Sequence, residues 1–344
     1  LNMSLKNLSA KNKIPKLLIN KLNNKRIRKI YQNFENSLNI NEDFAVAVSG
    51  GPDSLALAFL AKIYSIKKKL SLKILIVDHK LRPESTKEAN ITKQLLKKIS
   101  INADILNWKG KKPSKNVQSI ARKKRYELLF RNCDKYQIKY ILLGHHQDDL
   151  LENFFIRILR GSGLKGLISL DKKNKIGDKN LLRPLLDEKK ENLIFISKNV
   201  FNFYIEDPTN KDEKYKRIMI RSLIKKLQDD GLDKKKFLKT INNLKFSNKV
   251  IEYYVDENLK KNTFLSNNNS RLVLNSIFFL QPYEVIFRSL SESIKMIGKK
   301  YYSARGKKID KIINHLKKSV SYRSTLGGCI IEKVNETVII SREQ

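Results

Sequence analysis

"AVAVSGGPDSLALAF", residues 45–59, sets two apolar runs on either side of a short stretch of serine, glycine, proline and acid. Residues 45–48 are small or β-branched and follow Phe44, which predicts a short buried strand of the parallel type. Residues 55–64 carry Leu, Ala, Phe and Ile at helical spacing, with Asp53 or Ser54 placed to cap the N-terminus. Between them, Ser49, Gly50 and Gly51 leave room for backbone N–H groups to converge on one point. A helix N-terminus adds partial positive charge there. Strand, small polar loop and helix together make an anion cradle suited to phosphate. A tight βα turn that binds nothing is the bland alternative.

The pattern continues outward from this loop. Residues 72–79 and 103–108 read as strands, 84–99 and 116–136 as helices, 140–146 as a strand, and 148–163 as a helix stopped by glycine. Such alternation predicts an α/β fold, a parallel sheet with helices on both faces. Its chemistry belongs at the carboxyl ends of the strands. The groups expected there are Ser49 to Ser54, Asp78 with His79, and Gly144 to Asp149. The texture changes near residue 230, and a domain boundary is placed at 227–235. This gives a basic N-terminal arm or helix over 1–40, a catalytic domain over 41–228 and a smaller, basic, mainly helical α+β domain over 229–344 that ends in a β-hairpin near Asn335.

A chain of 344 residues holds one large or two ordinary domains. Its 71 basic and 34 acidic residues give a net charge of +37, which points to a polyanionic partner, nucleic acid first. An A/T-biased genome would also enrich lysine, but the field exists whatever its origin. Two cysteines, Cys133 and Cys329, form neither a disulfide framework nor a CxxC pair, which suits a reducing compartment. No apolar run reaches the ~18 residues of a bilayer span. A cytoplasmic protein with no membrane partner is expected.

In "GHHQDDLLE", 144–152, two histidines and two aspartates crowd a helix start. Asp149 and Glu152 fit a capping box. One cap does not need both aspartates, so Asp148 and Asp149 are also candidates for Mg2+ or amine binding. A zinc site using His79, His145, His146 and Cys133 lacks the usual ligand spacing. "GSGLKG", 161–166, matches a dinucleotide fingerprint but follows a helix, so a helix C-cap and loop is the better reading. Arg122 with Arg125, and Arg157 with Arg160, share helical i, i+3 spacing. Each pair is either a solvated face or a phosphate clamp.

Taken in order, "SGGPDS" (49–54), "VDHKLRPES" (77–85), "ARKKRY" (121–126), "LGHHQDDLLE" with "RILRGSGLKGL" (143–167), "LLRPLL" (181–186), "EDPTN" with "YKRIMIR" (206–221) and the terminal "TLGGCIIEK" and "VIISRE" resemble the tRNA(Ile)-lysidine synthetases, a branch of the N-type ATP pyrophosphatases or PP-loop proteins. The resemblance runs from about residue 43 to 344, patchily after 225. The SGGxDS loop alone is shared with GMP, NAD and asparagine synthetases and with tRNA thiolases. The LRPES and HHxDD–RGSG series is more specific. Leu150 stands where the family often has Gln, and Asn153 where Thr is usual.

The resemblance implies a ligase. ATP and Mg2+ activate the C2 oxygen of the wobble cytidine in a CAU-anticodon isoleucine tRNA. The ε-amine of free L-lysine then displaces AMP to give lysidine, so that the anticodon reads AUA instead of AUG. It assigns nucleotide binding to Ser49, Gly50, Gly51, Asp53, Ser54, Val77, Gly144 and His145, and Mg2+ to Asp53 and Asp149. Chemistry falls to Asp53, to Arg122 or Arg125, and to Asp148 or Asp149. RNA contacts fall to Arg157, Arg160, Arg217, Arg221, Tyr301, Tyr302 and Arg305. The setting is a bacterial cytoplasm, and a homodimer is one of the states the sequence allows. A tRNA thiolase is the nearest rival, but it would use paired cysteines. A non-catalytic RNA-binding protein on a decayed ATPase fold is the rival from another class.

Overall fold

The computed structural model describes residues 16–110, 113, 114, 116–205, 216–266, 270–300 and 304–343. The chain divides into two compact units, Leu1–Lys234 and Lys235–Gln344.

The first unit begins with α1 (Lys16–Leu22) and α2 (Lys25–Asn36). The sequence suggested a basic arm or helix here, and these helices are not a free arm. Leu18, Leu22, Ile27, Ile30, Tyr31 and Phe34 are buried in the main core. The lysines and arginines take the outer side of an amphipathic pattern. Asn24 caps α2, its side-chain oxygen accepting from the N–H groups of Arg26 (3.0 Å) and Ile27 (3.2 Å).

Next come β1 (Phe44–Val48), α3 (Pro52–Lys68), β2 (Leu72–Asp78), α4 (Ser85–Lys98), β3 (Ala103–Asn107), α5 (Val117–Lys135), β4 (Tyr140–Leu142), α6 (Gln147–Ile158), α7 (Leu164–Leu167), β5 (Lys173–Ile176), β6 (Lys179–Leu182), α8 (Lys190–Phe201) and α9 (Lys216–Asp229). The sheet order is β3-β2-β1-β4-β6-β5. All pairings are parallel except that of the edge strand β5 with β6. Strand order reverses between β1 and β4, so a crevice opens at their carboxyl ends. β1 explains why this sheet needs apolar strands. Phe44, Val46 and Val48 pack into the core that holds α3 and α8, while Ala45 joins Leu129 and Cys133 of α5 on the other face. Fully burying each such Phe, Val or Leu contributes ~1.5–3 kcal/mol.

The second unit holds nearly all of α10 (Lys234–Asn262), then β7 (Thr263–Leu265), β8 (Arg271–Leu274), α11 (Tyr283–Ile297), α12 (Gly306–Lys318), β9 (Tyr322–Leu326), β10 (Cys329–Val334) and β11 (Thr337–Arg342). The expected terminal hairpin is β10 with β11, turning at Asn335 (φ 55°). It belongs to a larger antiparallel sheet, β7-β8-β11-β10-β9. Ile286, Leu290 and Ile294 of α11 and Ile309, Ile313 and Leu316 of α12 close one core with Leu272, Ile331 and Ile340 of that sheet. Between β9 and β10, Gly327 (φ +66°) and Gly328 (φ +78°) supply the left-handed backbone of a two-residue turn.

Candidate active site

The loop of residues 49–51 leaves β1 at the switch point. The carbonyl of Gly50 accepts from the N–H of Ile205 (3.0 Å). Gly50 has φ +86°, and a Cβ there would lie 2.4 Å from Thr92 Oγ1 and 2.8 Å from Ile205 Cδ1. Glycine is required on both counts. The N-cap of α3 is Gly51, with Pro52 at the first helical position, not Asp53 or Ser54 as the sequence suggested. Proline fits that place because its φ is preset and the N–H it lacks would have had no helical partner. Ser54 works inside the loop: its Oγ accepts from Ser49 N–H (3.1 Å) and donates to the Gly51 carbonyl (3.0 Å). These two bonds tie the ends of the loop together. Ser49 lies exposed at the rim.

The second wall is the loop after β4. Gly144 is pressed against α3, where an added Cβ would stand 3.2 Å from the Asp53 carbonyl group and from Ser54 N. His146 caps α6. Its Nδ1 accepts from Asp148 N–H (3.2 Å), while Asp149 Oδ2 accepts from His146 N–H (2.9 Å). The capping box therefore joins His146 to Asp149, one turn earlier than the expected Asp149–Glu152 pair. Sequence reasoning missed this because imidazole caps helices rarely. The same ring reaches across the crevice, with Nε2 3.5 Å from Asp53 Oδ2 and 3.6 Å from Asp149 Oδ2. Burial disfavours its charge, but the bond to Asp53 and the fields of Asp149, Asp53 and Asp148 hold its pKa above the usual value. Burial also works against the Asp149 charge. His146, His145, the His146 N–H and Arg217 outweigh it and hold that carboxyl low.

Glu152 is buried, and its Oε1 accepts from Arg221 Nε of α9 (2.5 Å). Asp148, more open, pairs with Lys234, the last residue of the first unit. Of the sequence-nominated arginines, Arg221 bonds Glu152 and the charge of Arg217 acts on Glu152, Asp149 and His145. The charges of Arg122 and Arg217 are felt at His145, those of Arg122 and Arg217 at Arg125, and those of Arg160 and Arg122 at Arg157. Arg183, within the "LLRPLL" stretch, donates from Nε to His145 Nδ1 (3.2 Å). Burial, Arg183, Arg122 and Arg217 together push the His145 pKa down against the pull of Asp149. So many like charges around one acidic crevice suit a phosphate-rich ligand.

Tyr301 and Tyr302 lie outside the described residues, and Arg305 is an exposed residue of the second unit. Val77 packs onto the cluster containing Leu75 and Leu129. Cys133 is buried in the same cluster, with burial pushing its thiol up to about 12.

Asp53 Oδ1 is buried and has no hydrogen-bond partner among the described residues. An orphaned carboxylate oxygen of this kind fits a cation. Among the described residues no group of three or more His, Cys, Asp or Glu side chains is arranged to hold a metal. Mg2+ makes no such demand, because it keeps water and phosphate oxygens beside one or two carboxylates.

A largely parallel α/β sheet with a glycine cradle, a helix N-terminus and paired acids at its switch point suits a nucleotide-binding class. The PP-loop domain family matches residues 20–227. Over 318 residues the chain is 36% identical to a tRNA(Ile)-lysidine synthase of Wolbachia pipientis wMel, covering 91% of this chain and 74% of that protein. Over 315 residues it is 33% identical to the tRNA(Ile)-lysidine synthase of Orientia tsutsugamushi, covering 88% and 70%. The chain belongs to the tRNA(Ile)-lysidine synthase family, a branch of the PP-loop enzymes. Among solved structures, the U34-tRNA thiolase NcsA from Methanococcus maripaludis shares the fold at a TM-score of 0.55 and 17% identity, over 64% of this chain and 78% of that one. No helix among the described residues is long and apolar enough to cross a membrane.

Proposed function

We propose that this protein joins free L-lysine to C2 of the wobble cytidine of a CAU-anticodon isoleucine tRNA, with cleavage of ATP to AMP and pyrophosphate. The observation that carries the reading is the meeting of the 49–54 cradle with Asp53, His146 and Asp149 across one crevice, in a chain whose relatives bear that activity in their names.

In the first step the cytidine C2 oxygen attacks the α-phosphorus and pyrophosphate leaves. The cradle offers backbone N–H groups at the N-terminus of α3 to the departing anion. Mg2+ held by Asp53 and Asp149 would supply Lewis-acid neutralisation of the phosphates there. Arg122 or Arg125 balances charge on the α-phosphate. In the second step the lysine ε-amine attacks C2, and AMP leaves carrying the former C2 oxygen. Lysine arrives as an ammonium of pKa ~10.4 and must lose a proton. Asp148, partly open to solvent, can hold that ammonium once Lys234 gives way. Asp149 is a poorer base because its pKa is held low. Arg157, Arg160, Arg217 and Arg221 form the RNA-facing rim, and Tyr301, Tyr302 and Arg305 extend RNA contact in the second unit. The anticodon then pairs with A in place of G.

The direct test of the first step is pyrophosphate exchange into ATP without lysine. Exchange that depends on the isoleucine tRNA supports an adenylated tRNA intermediate. Exchange that depends on lysine alone would place the adenylate on the amino acid and contradict the reading.

A further inference from the structure

Arg183 follows β6 directly and is 4% exposed. Its Nη1 donates to the Asp171 carbonyl (2.7 Å) and to Asn174 Oδ1 (2.5 Å), and its own N–H donates to the Lys172 carbonyl (2.8 Å). The β5 edge thus fixes the guanidinium in place. A further donor, Nε, points at His145 Nδ1 at 3.2 Å.

A guanidinium has donors only and does not lose its proton in proteins. Nδ1 of His145 must therefore offer a lone pair. An imidazolium has none, and the Nδ1–H tautomer has it on the wrong nitrogen. Only the neutral ring with hydrogen on Nε2 satisfies the contact.

We propose that Arg183 is a positioning residue for the transfer chemistry, holding His145 as a neutral Nε2–H donor at the mouth of β4. The inference rests on the lysine-transfer reading for its chemical use. Two consequences follow from the tautomer. A neutral ring does not repel the incoming lysine ammonium, as a second cation would. A ring with Nδ1 engaged and Nε2 protonated has no free lone pair, so His145 is not the base that deprotonates lysine. Its service is a hydrogen bond to an oxygen that gains negative charge as the adenylate forms or leaves.

The experiment uses the full chain labelled with 15N-histidine, whose four histidines are assigned by single replacements. The expected result is one neutral Nε2–H signature for His145 between about pH 6 and 8, where a free imidazole would titrate. In Arg183→Met that signature gives way to a tautomer mixture or to protonation. His145→Gln keeps an N–H donor without basicity and retains lysine transfer to within about tenfold, whereas His145→Ala loses roughly 10²-fold in kcat. An unchanged signature in a folded Arg183→Met would overturn the proposal. So would a His145→Gln variant as inactive as His145→Ala, and that arm does not require Arg183→Met to fold. The tautomer is read without substrate, so a correct signature in a protein that transfers no lysine would count against the function and leave the Arg183–His145 relationship standing.

Discussion

Gly144 and Asp53 touch through their backbones: a methyl group on Gly144 would come within 3.2 Å of the Asp53 carbonyl carbon and oxygen. The two site motifs, 91 positions apart by the numbering 53 and 144, are therefore set against each other by close main-chain packing. Gly144→Ala must push the first turn of α3 outward by a few tenths of an ångström. It is expected to cost ~1 kcal/mol of stability and to slow pyrophosphate exchange about tenfold or more, since displacing reacting groups by less than their own radius is felt in rate. A melting curve and an exchange assay on the same sample separate the two. Unchanged exchange would mean that the contact has no bearing on the chemistry.

Asp53 carries the orphaned oxygen of the crevice. Asp53→Asn keeps the shape and halves the ligand set assigned to Mg2+. Exchange is expected to fall by roughly 10² or more, with residual activity that needs a higher Mg2+ concentration to saturate. A Mg2+ titration of exchange rate checks this, and an identical half-saturation in both proteins would remove Asp53 from the metal site.

Glu152 depends on Arg221. Burial raises its pKa, and the Arg221 guanidinium pulls it part of the way back. In Arg221→Met the carboxyl rises further. A carboxyl whose folded pKa exceeds its unfolded value of ~4.3 binds more protons folded than unfolded, so stability falls as pH climbs from the lower pKa to the higher. Arg221→Met is expected to be ~1–3 kcal/mol less stable at pH 8 and closer to the parent at acid pH. This is below the cost of breaking a fully buried pair because Arg221 is partly exposed. Adding Glu152→Gln should recover much of the loss. Urea melts at the two pH values decide, and a pH-independent loss would show that the pair does not bear charge as described.

Asp78 behaves oppositely. Burial disfavours its charge, but Thr86 Oγ1 (2.7 Å), Ser85 Oγ (2.8 Å) and the Lys80 N–H (3.0 Å) donate to it and hold its pKa below the ordinary value. Its contribution is complete above the unfolded pKa of ~3.9 and is lost as pH falls through the folded one. Asp78→Ala should destabilise by ~2–3 kcal/mol at pH 7 and by progressively less below about pH 4. Acid titration of both proteins by circular dichroism tests it, and parallel curves would contradict it.

The β1–loop–α3 unit was legible because each level agreed: apolar strand, glycines where the backbone must turn, and a long apolar helix. The parallel sheet followed from the alternation of periods. Residues 173–182, "KNKIGDKNLL", were not legible as β5 and β6. Of the two inward residues of β6, Lys179 and Leu181, the first is a lysine buried at 3% and paired with Asp134 and Asp178, so the apolar alternation that marks a strand is broken. The segment before residue 40 read as a basic arm or helix because its basic outer face hides an apolar stripe that is buried only in the folded core shared with α3 and α8. At the site, the residue types were readable but their couplings were not. That His146 bridges Asp53 and Asp149, or that Arg183 reaches His145 across 38 positions, depends on strand order and not on local pattern.

The most direct test of the whole account is to incubate the protein with ATP, Mg2+, radiolabelled lysine and a CAU-anticodon isoleucine tRNA transcript, beside the elongator methionine tRNA with the same anticodon. The account predicts label in the isoleucine tRNA alone, lost in Asp53→Ala. Label in both tRNAs, in neither, or undiminished in Asp53→Ala would contradict it.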